Sequence, residues 1–173
     1  MSQDQDSRNR SRVVVGIAGS EGLPYAVGVL EALRGRLVET HLVMTDTVEA
    51  ALGRDLDRVR GLADQVYAPF NQAARISSGS FLTRGMVVVP CDARSLAAIA
   101  MGLATNLLYR AADVTLKEQR PLVLGLPYAP ASEIDRLNLD RTRRVPGLDV
   151  VALAGAPEEG ASAVLDQLNA VRD

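Results

Sequence analysis

Tryptophan is absent, and aromatic residues make up only 3% of the 173 positions. The core must therefore be aliphatic, built from Val, Leu, Ile and Ala. A single cysteine, Cys91, excludes an internal disulfide framework, so nothing here demands an oxidising compartment. Neither sign of charge dominates. The net charge of −2 argues against a broad electrostatic surface for nucleic acid. No apolar run reaches the roughly 20 residues that span a bilayer. The stretch from Met1 to Arg12 is polar and charged, without the apolar centre of a signal peptide. It reads as a disordered lead-in. These absences point to a cytoplasmic protein with no membrane or nucleic-acid partner, and no metal site is read.

What is present is a hydrophobic fraction of 47%, enough to offset chain entropy in one domain over residues 13–173. Strand patterns fall at residues 13–18, 39–44, 85–89, 121–126 and 149–154. Helical patterns fall at 24–33, 132–143 and 161–171. Another runs from Ser95 through Leu108, and one or two short helices are expected within 55–74. Pro24 suits a first helical turn, and Thr45 with Asp46 and Thr47 suits a helix cap. Pro90 should stop the third strand. Alternating strands and helices predict an α/β fold, a doubly wound parallel sheet in one Rossmann-like domain.

Open sheets of this kind bind ligands beyond the carboxyl ends of their strands. Three segments arrive there on this reading: residues 16–22 (GIAGSEG), 45–47 (TDT) and 90–95 (PCDARS). Each opens a helix, where backbone N–H groups favour an anion such as phosphate. A Gly-rich turn is also common for packing alone.

The wider pattern resembles the flavin prenyltransferases and the related flavin-dependent cysteine decarboxylases. Val14 through Gly22 is similar to their opening flavin loop, and Val38 through Thr45 to their second strand. Ile76-Ser77-Ser78-Gly79-Ser80-Phe81 followed by Gly85 through Cys91 is a close match, as are Leu107 through Glu118 and Arg120 through Leu124. The resemblance covers residues 13–125 in order. It implies FMN as cofactor and a homo-oligomer, a trimer or dodecamer, with FMN between subunits. It places FMN against Gly19, Ser20, Glu21, Thr45 and the turn of Asp92, Ala93, Arg94 and Ser95, with Ser78 and Ser80 as further contacts.

After Leu124 the resemblance to prenyltransferases breaks. Their Arg-Glu pair is replaced by Pro127 and Tyr128. Their C-terminal Phe-Tyr segment is replaced by residues 155–160 (GAPEEG), whose two acids would repel a phosphate. The helix at Ile99-Ala100-Met101-Gly102 through Asn106-Leu107 is similar to the cysteine decarboxylases. That branch implies FMN-dependent oxidative decarboxylation of a peptidyl C-terminal cysteine, with a peptide or small-molecule thiol as substrate. Arg94 takes the place of that branch's catalytic Asn. On that reading Arg94 holds the substrate carboxylate, and Glu21 or Asp92 serves as base. Two alternatives stay open: a flavin prenyltransferase with a rebuilt donor site, and a non-catalytic flavin-binding partner. Blander roles accompany each residue. Glu21 and Asp92 suit helix N-termini, His41 a packed strand, Cys91 a buried core position, and Lys117, Glu118 and Arg120 an ion network.

Overall fold

The computed structural model describes residues 11–170. Six strands form one all-parallel sheet in the order β3-β2-β1-β4-β5-β6. They are β1 (Arg12–Ala18), β2 (Glu39–Met44), β3 (Gln65–Tyr67), β4 (Gly85–Cys91), β5 (Leu122–Leu126) and β6 (Leu148–Ala152). The helices are α1 (Leu23–Gly35), α2 (Asp46–Leu52), α3 (Leu56–Arg60), α4 (Ala93–Ala100), α5 (Leu107–Lys117), α6 (Glu133–Thr142) and α7 (Pro157–Ala170). The strand order reverses between β1 and β4, which is where such sheets open a crevice for ligands.

The strands alternate between two aliphatic layers because successive side chains leave opposite faces of a sheet. Val13, Val15, Ile17, Val87 and Val89 join Ala26, Val29, Leu30 and Leu33 of α1 and Val164, Leu165 and Leu168 of α7. Val14, Ala18, Met86, Val88 and Cys91 face Leu96 and Ile99 of α4 and Leu107, Leu108, Ala111 and Ala112 of α5. A Cβ on Gly16 would lie 3.2 Å from Leu108 and from the Met86 side chain. The missing side chain thus lets α5 rest directly on β1.

The expected α/β sheet is present, with four differences in detail. The 55–74 stretch contains the short edge strand β3 as well as α3; three residues carry too little alternation to stand out. β4 runs on through Pro90 to Cys91, past the expected stop, and the Val89–Pro90 peptide is cis. The expected single helix from Ser95 through Leu108 is two helices. Gly102, at φ +68°, turns the chain between them, and Asn106 caps the second. The last helix starts at Pro157, four residues before the apolar pattern. The lead-in expected over residues 1–12 lies outside the described residues, apart from Ser11 and Arg12. Among the described residues no helix is long and apolar enough to cross a membrane.

Candidate functional site

At the C-terminal edge of the sheet, the starts of α2, α4 and α5 converge on one cavity of about 110 Å³. It is lined by Thr45, Asp46, Thr47, Asp92, Arg94, Ser95, Asn106 and Tyr109. Each helix is capped by its own side chain. Thr45 Oγ1 accepts from the Val48 N–H at 3.4 Å, Asp92 Oδ1 from Ser95 N–H at 2.8 Å, and Asn106 Oδ1 from Tyr109 N–H at 2.9 Å. The caps explain why polar residues sit at these three points, and they hold the cavity walls in register.

The lining residues carry as donors the Arg94 guanidinium, the hydroxyls of Thr45, Thr47, Ser95 and Tyr109, and the Asn106 amide. Thr45 and Thr47 share a hydrogen bond at 3.0 Å, as do Ser95 and Tyr109. Burial, the largest influence, raises the Tyr109 pKa, so its phenol stays protonated. Asp92 contributes a carboxylate, but one oxygen already faces the Ser95 N–H. Helix geometry also leaves the first N–H groups of α4, at Ala93 and Arg94, without intrahelical acceptors. This donor set fits the phosphate end of FMN. At about 110 Å³ the cavity is of a size for a phosphate group.

Of the residues expected at the site, Thr45, Asp92, Arg94 and Ser95 line the cavity together, with Ala93 in the same turn. Gly19 lies beside them: a Cβ there would come within 3.3 Å of the Asp92 side chain, so the first loop packs against the β4–α4 turn. Ser20 and Glu21 are exposed on that loop and do not line the cavity. Ser78 and Ser80 are elsewhere. Their hydroxyls pair at 2.9 Å on an exposed loop at the far end of α5. Arg120 fixes that loop by donating to the Gly79 and Phe81 carbonyls at 2.7 and 2.9 Å. The eleven residues of α5 separate the loop from the cavity by roughly 16 Å, at 1.5 Å per residue.

Asn106 and Tyr109 were not among the expected site residues. Asn106 was hidden inside an apparently continuous helix. The signal for it is an Asn four residues after Gly102 and just before Leu107-Leu108, the pattern of a second helix start. Tyr109 has no sequence signal; only the helix start, once placed, turns it inward.

The remaining candidates take quiet positions. His41 is wholly buried, with Nδ1 2.9 Å from the Tyr67 hydroxyl and Nε2 3.1 Å from Glu39. Cys91 is buried in the core, which pushes its thiol pKa up and keeps it protonated. Tyr128, beyond β5, has an enclosed hydroxyl with no hydrogen-bond partner among the described residues, and its pKa is pushed up to about 12, chiefly by burial. Glu118 and Arg120 approach to 3.9 Å.

Comparison with known proteins corrects one expectation. The chain is 49% identical over 117 residues to the flavin prenyltransferase UbiX of Deinococcus radiodurans, covering 65% of this chain and 60% of that one. It is 43% identical over 150 residues to UbiX of Neisseria meningitidis serogroup B, covering 84% and 78%. The match thus spans only three fifths of the first relative's length. Two solved structures superpose well. One is AnUbiX (PadA1) in complex with FMN and dimethylallyl pyrophosphate, at 38% identity and TM-score 0.86 over 93% of both chains. The other is a dodecameric FMN-dependent UbiX-like decarboxylase from Escherichia coli O157:H7, at 38% and 0.85 over 91% and 94%. The peptidyl-cysteine decarboxylase EpiD is only 15% identical, at TM-score 0.69 over 90% and 99%, a likeness of fold alone. The expected decarboxylation of a peptidyl cysteine is therefore overturned. The stronger identity lies with the prenyltransferases, and the segment 99–107 that suggested decarboxylation is mostly the connection between α4 and α5 rather than one helix. The expected FMN agrees with these relatives. Residues 1–170 match the sequence pattern of the Flavoprotein family, and with the sheet order, the capped cavity and these identities, the chain belongs to that family.

Proposed function

We propose that this protein binds FMN and acts as a flavin prenyltransferase, taking its prenyl unit from an allylic phosphate ester such as dimethylallyl phosphate. The observation that carries the reading is the 43% identity to a flavin prenyltransferase over 84% of this chain. The cavity supports it. Arg94 and the hydroxyls of Thr45, Thr47 and Ser95 bind and orient the FMN phosphate, and the caps of α2, α4 and α5 hold them in place. Bound FMN, once reduced, supplies the nucleophilic ring that accepts the prenyl unit. Pro127 and Tyr128 stand where the resemblance led us to expect Arg and Glu, so other residues meet the donor phosphate. The Tyr128 hydroxyl is neutral and does not repel an incoming anion as a carboxylate would.

The protein acts as a homo-oligomer on this reading. A single chain keeps the Ser78–Ser80 loop about an α5 length from its own cavity, and on this reading the loop that completes each FMN site comes from a second copy. Met101, Leu103, Ile134 and Leu137 also leave large apolar surface exposed on the isolated chain.

The test is an anaerobic incubation of the protein with reduced FMN and dimethylallyl phosphate, followed by mass spectrometry of the extracted flavin. A flavin heavier by one prenyl unit is expected. Tight FMN binding with no prenylated product would leave a flavin carrier and sink the transferase reading.

A further inference from the structure

Tyr109 is unexplained by helix packing alone. It is the third residue of α5, and its ring packs against the core layer beneath that helix. Its hydroxyl leaves that layer, reaches Ser95 Oγ at 3.0 Å, and enters the lining of the cavity. Ser95 is 1% exposed, so its hydroxyl has little else to face. Two hydroxyls carry two protons, and the bond between them uses one. Whichever group donates, one O–H proton is left over for an acceptor beside the pair. A phosphate oxygen is such an acceptor, and its charge would strengthen both bonds in the chain. Without Tyr109, Ser95 Oγ turns freely, and its proton can settle instead on a nearby backbone carbonyl.

We propose that Tyr109 is a positioning residue for the FMN phosphate, setting the Ser95 hydroxyl so that the pair presents one oriented proton to a phosphate oxygen. The inference rests on the FMN reading given above. Because burial keeps the phenol protonated, the pair works as a donor across the whole neutral range.

The experiment measures FMN, riboflavin and dimethylallyl phosphate affinities for the wild type, Tyr109→Phe, Ser95→Ala and the double variant, with thermal unfolding of each apoprotein. Tyr109→Phe is expected to weaken FMN by about 5- to 20-fold, the range for losing support of one charge-assisted hydrogen bond. Riboflavin, which lacks the phosphate, should bind the variant and wild type alike. The double variant should lose little more than Ser95→Ala alone, since the two hydroxyls act as one unit. Equal losses for FMN and riboflavin would make Tyr109 a packing residue and overturn the proposal. Multiplying losses in the double variant would overturn it too. Unchanged FMN affinity with weaker dimethylallyl phosphate binding would move the pair to the donor's phosphate and overturn the assignment to FMN. A wild type that binds no flavin would bring down the FMN reading itself. A wild type and Tyr109→Phe that hold FMN equally would bring down only this inference.

Discussion

His41 shows what a titratable side chain does when a fold encloses it. Its ring lies against Phe81, 4.9 Å between centroids, and is stacked 5.8 Å from Tyr67. Arg12 reaches the same cluster, bonding Glu39 at 3.0 Å and lying over Phe81. Burial, the largest influence, lowers the His41 pKa below its ordinary 6.5, against the pull of Glu39. The folded ring is thus neutral at pH values where the unfolded ring takes a proton. Unfolding therefore binds a proton below pH about 6.5, and stability falls as pH drops from there toward the folded pKa. His41→Asn removes this titration. Its stability deficit, measured by urea unfolding, should be largest near pH 7 and shrink toward pH about 5.5. A deficit constant across that range would mean that His41 does not titrate on unfolding. At this scale the sequence was partly legible. A lone histidine inside a strand pattern gave the packed reading. Nothing in the sequence showed that Tyr67 and Phe81, 26 and 40 positions away, would close around it, because Tyr67 arrives by the pairing of β3 with β2 and Phe81 by the path of the 68–84 segment.

At the scale of elements, the site is made of helix beginnings, and Asp92 serves both helix and cavity. Its carboxylate caps α4 and faces the cavity on its other side. Asp92→Ala should cost about 1 kcal/mol, seen as a fall of about 2–4 °C in Tm. Asp92→Asn keeps a capping oxygen and removes the charge, so it should hold stability within about 0.5 kcal/mol and bind FMN more tightly. An Asn variant that unfolds as early as the Ala variant would show that charge, and not the cap, holds α4. The strands of the sheet were readable because five of the six are apolar runs long enough to stand out. The four core positions of α1 were readable from their helical spacing. The break between α4 and α5 was not. Residues 95–108 keep a helical spacing of apolar side chains, and Gly102 is tolerated within helices often enough to be passed over. That one missed turn hid both Asn106 and Tyr109, two of the eight residues that line the cavity.

The molecule as a whole is a sheet with its candidate site at one end and a second, separately anchored loop at the other. The cavity is phosphate-sized, and α5 is a rigid spacer between it and the Ser78–Ser80 loop. If each FMN draws the cavity from one chain and the loop from another, defects in the two halves need not add. Arg94→Ala damages one half, and a Ser78→Ala, Ser80→Ala double variant damages the other. Each should lose turnover when purified alone. Co-expressed in equal amounts, they assemble into mixed particles in which about a quarter of the sites pair an intact cavity with an intact loop. Those particles should regain about that fraction of wild-type turnover, a complementation between two dead proteins. Mixed particles no more active than their parents would show that each chain completes its own site. The length of one helix thereby becomes a genetic property: two alleles, each null by itself, that rescue one another in the same cell.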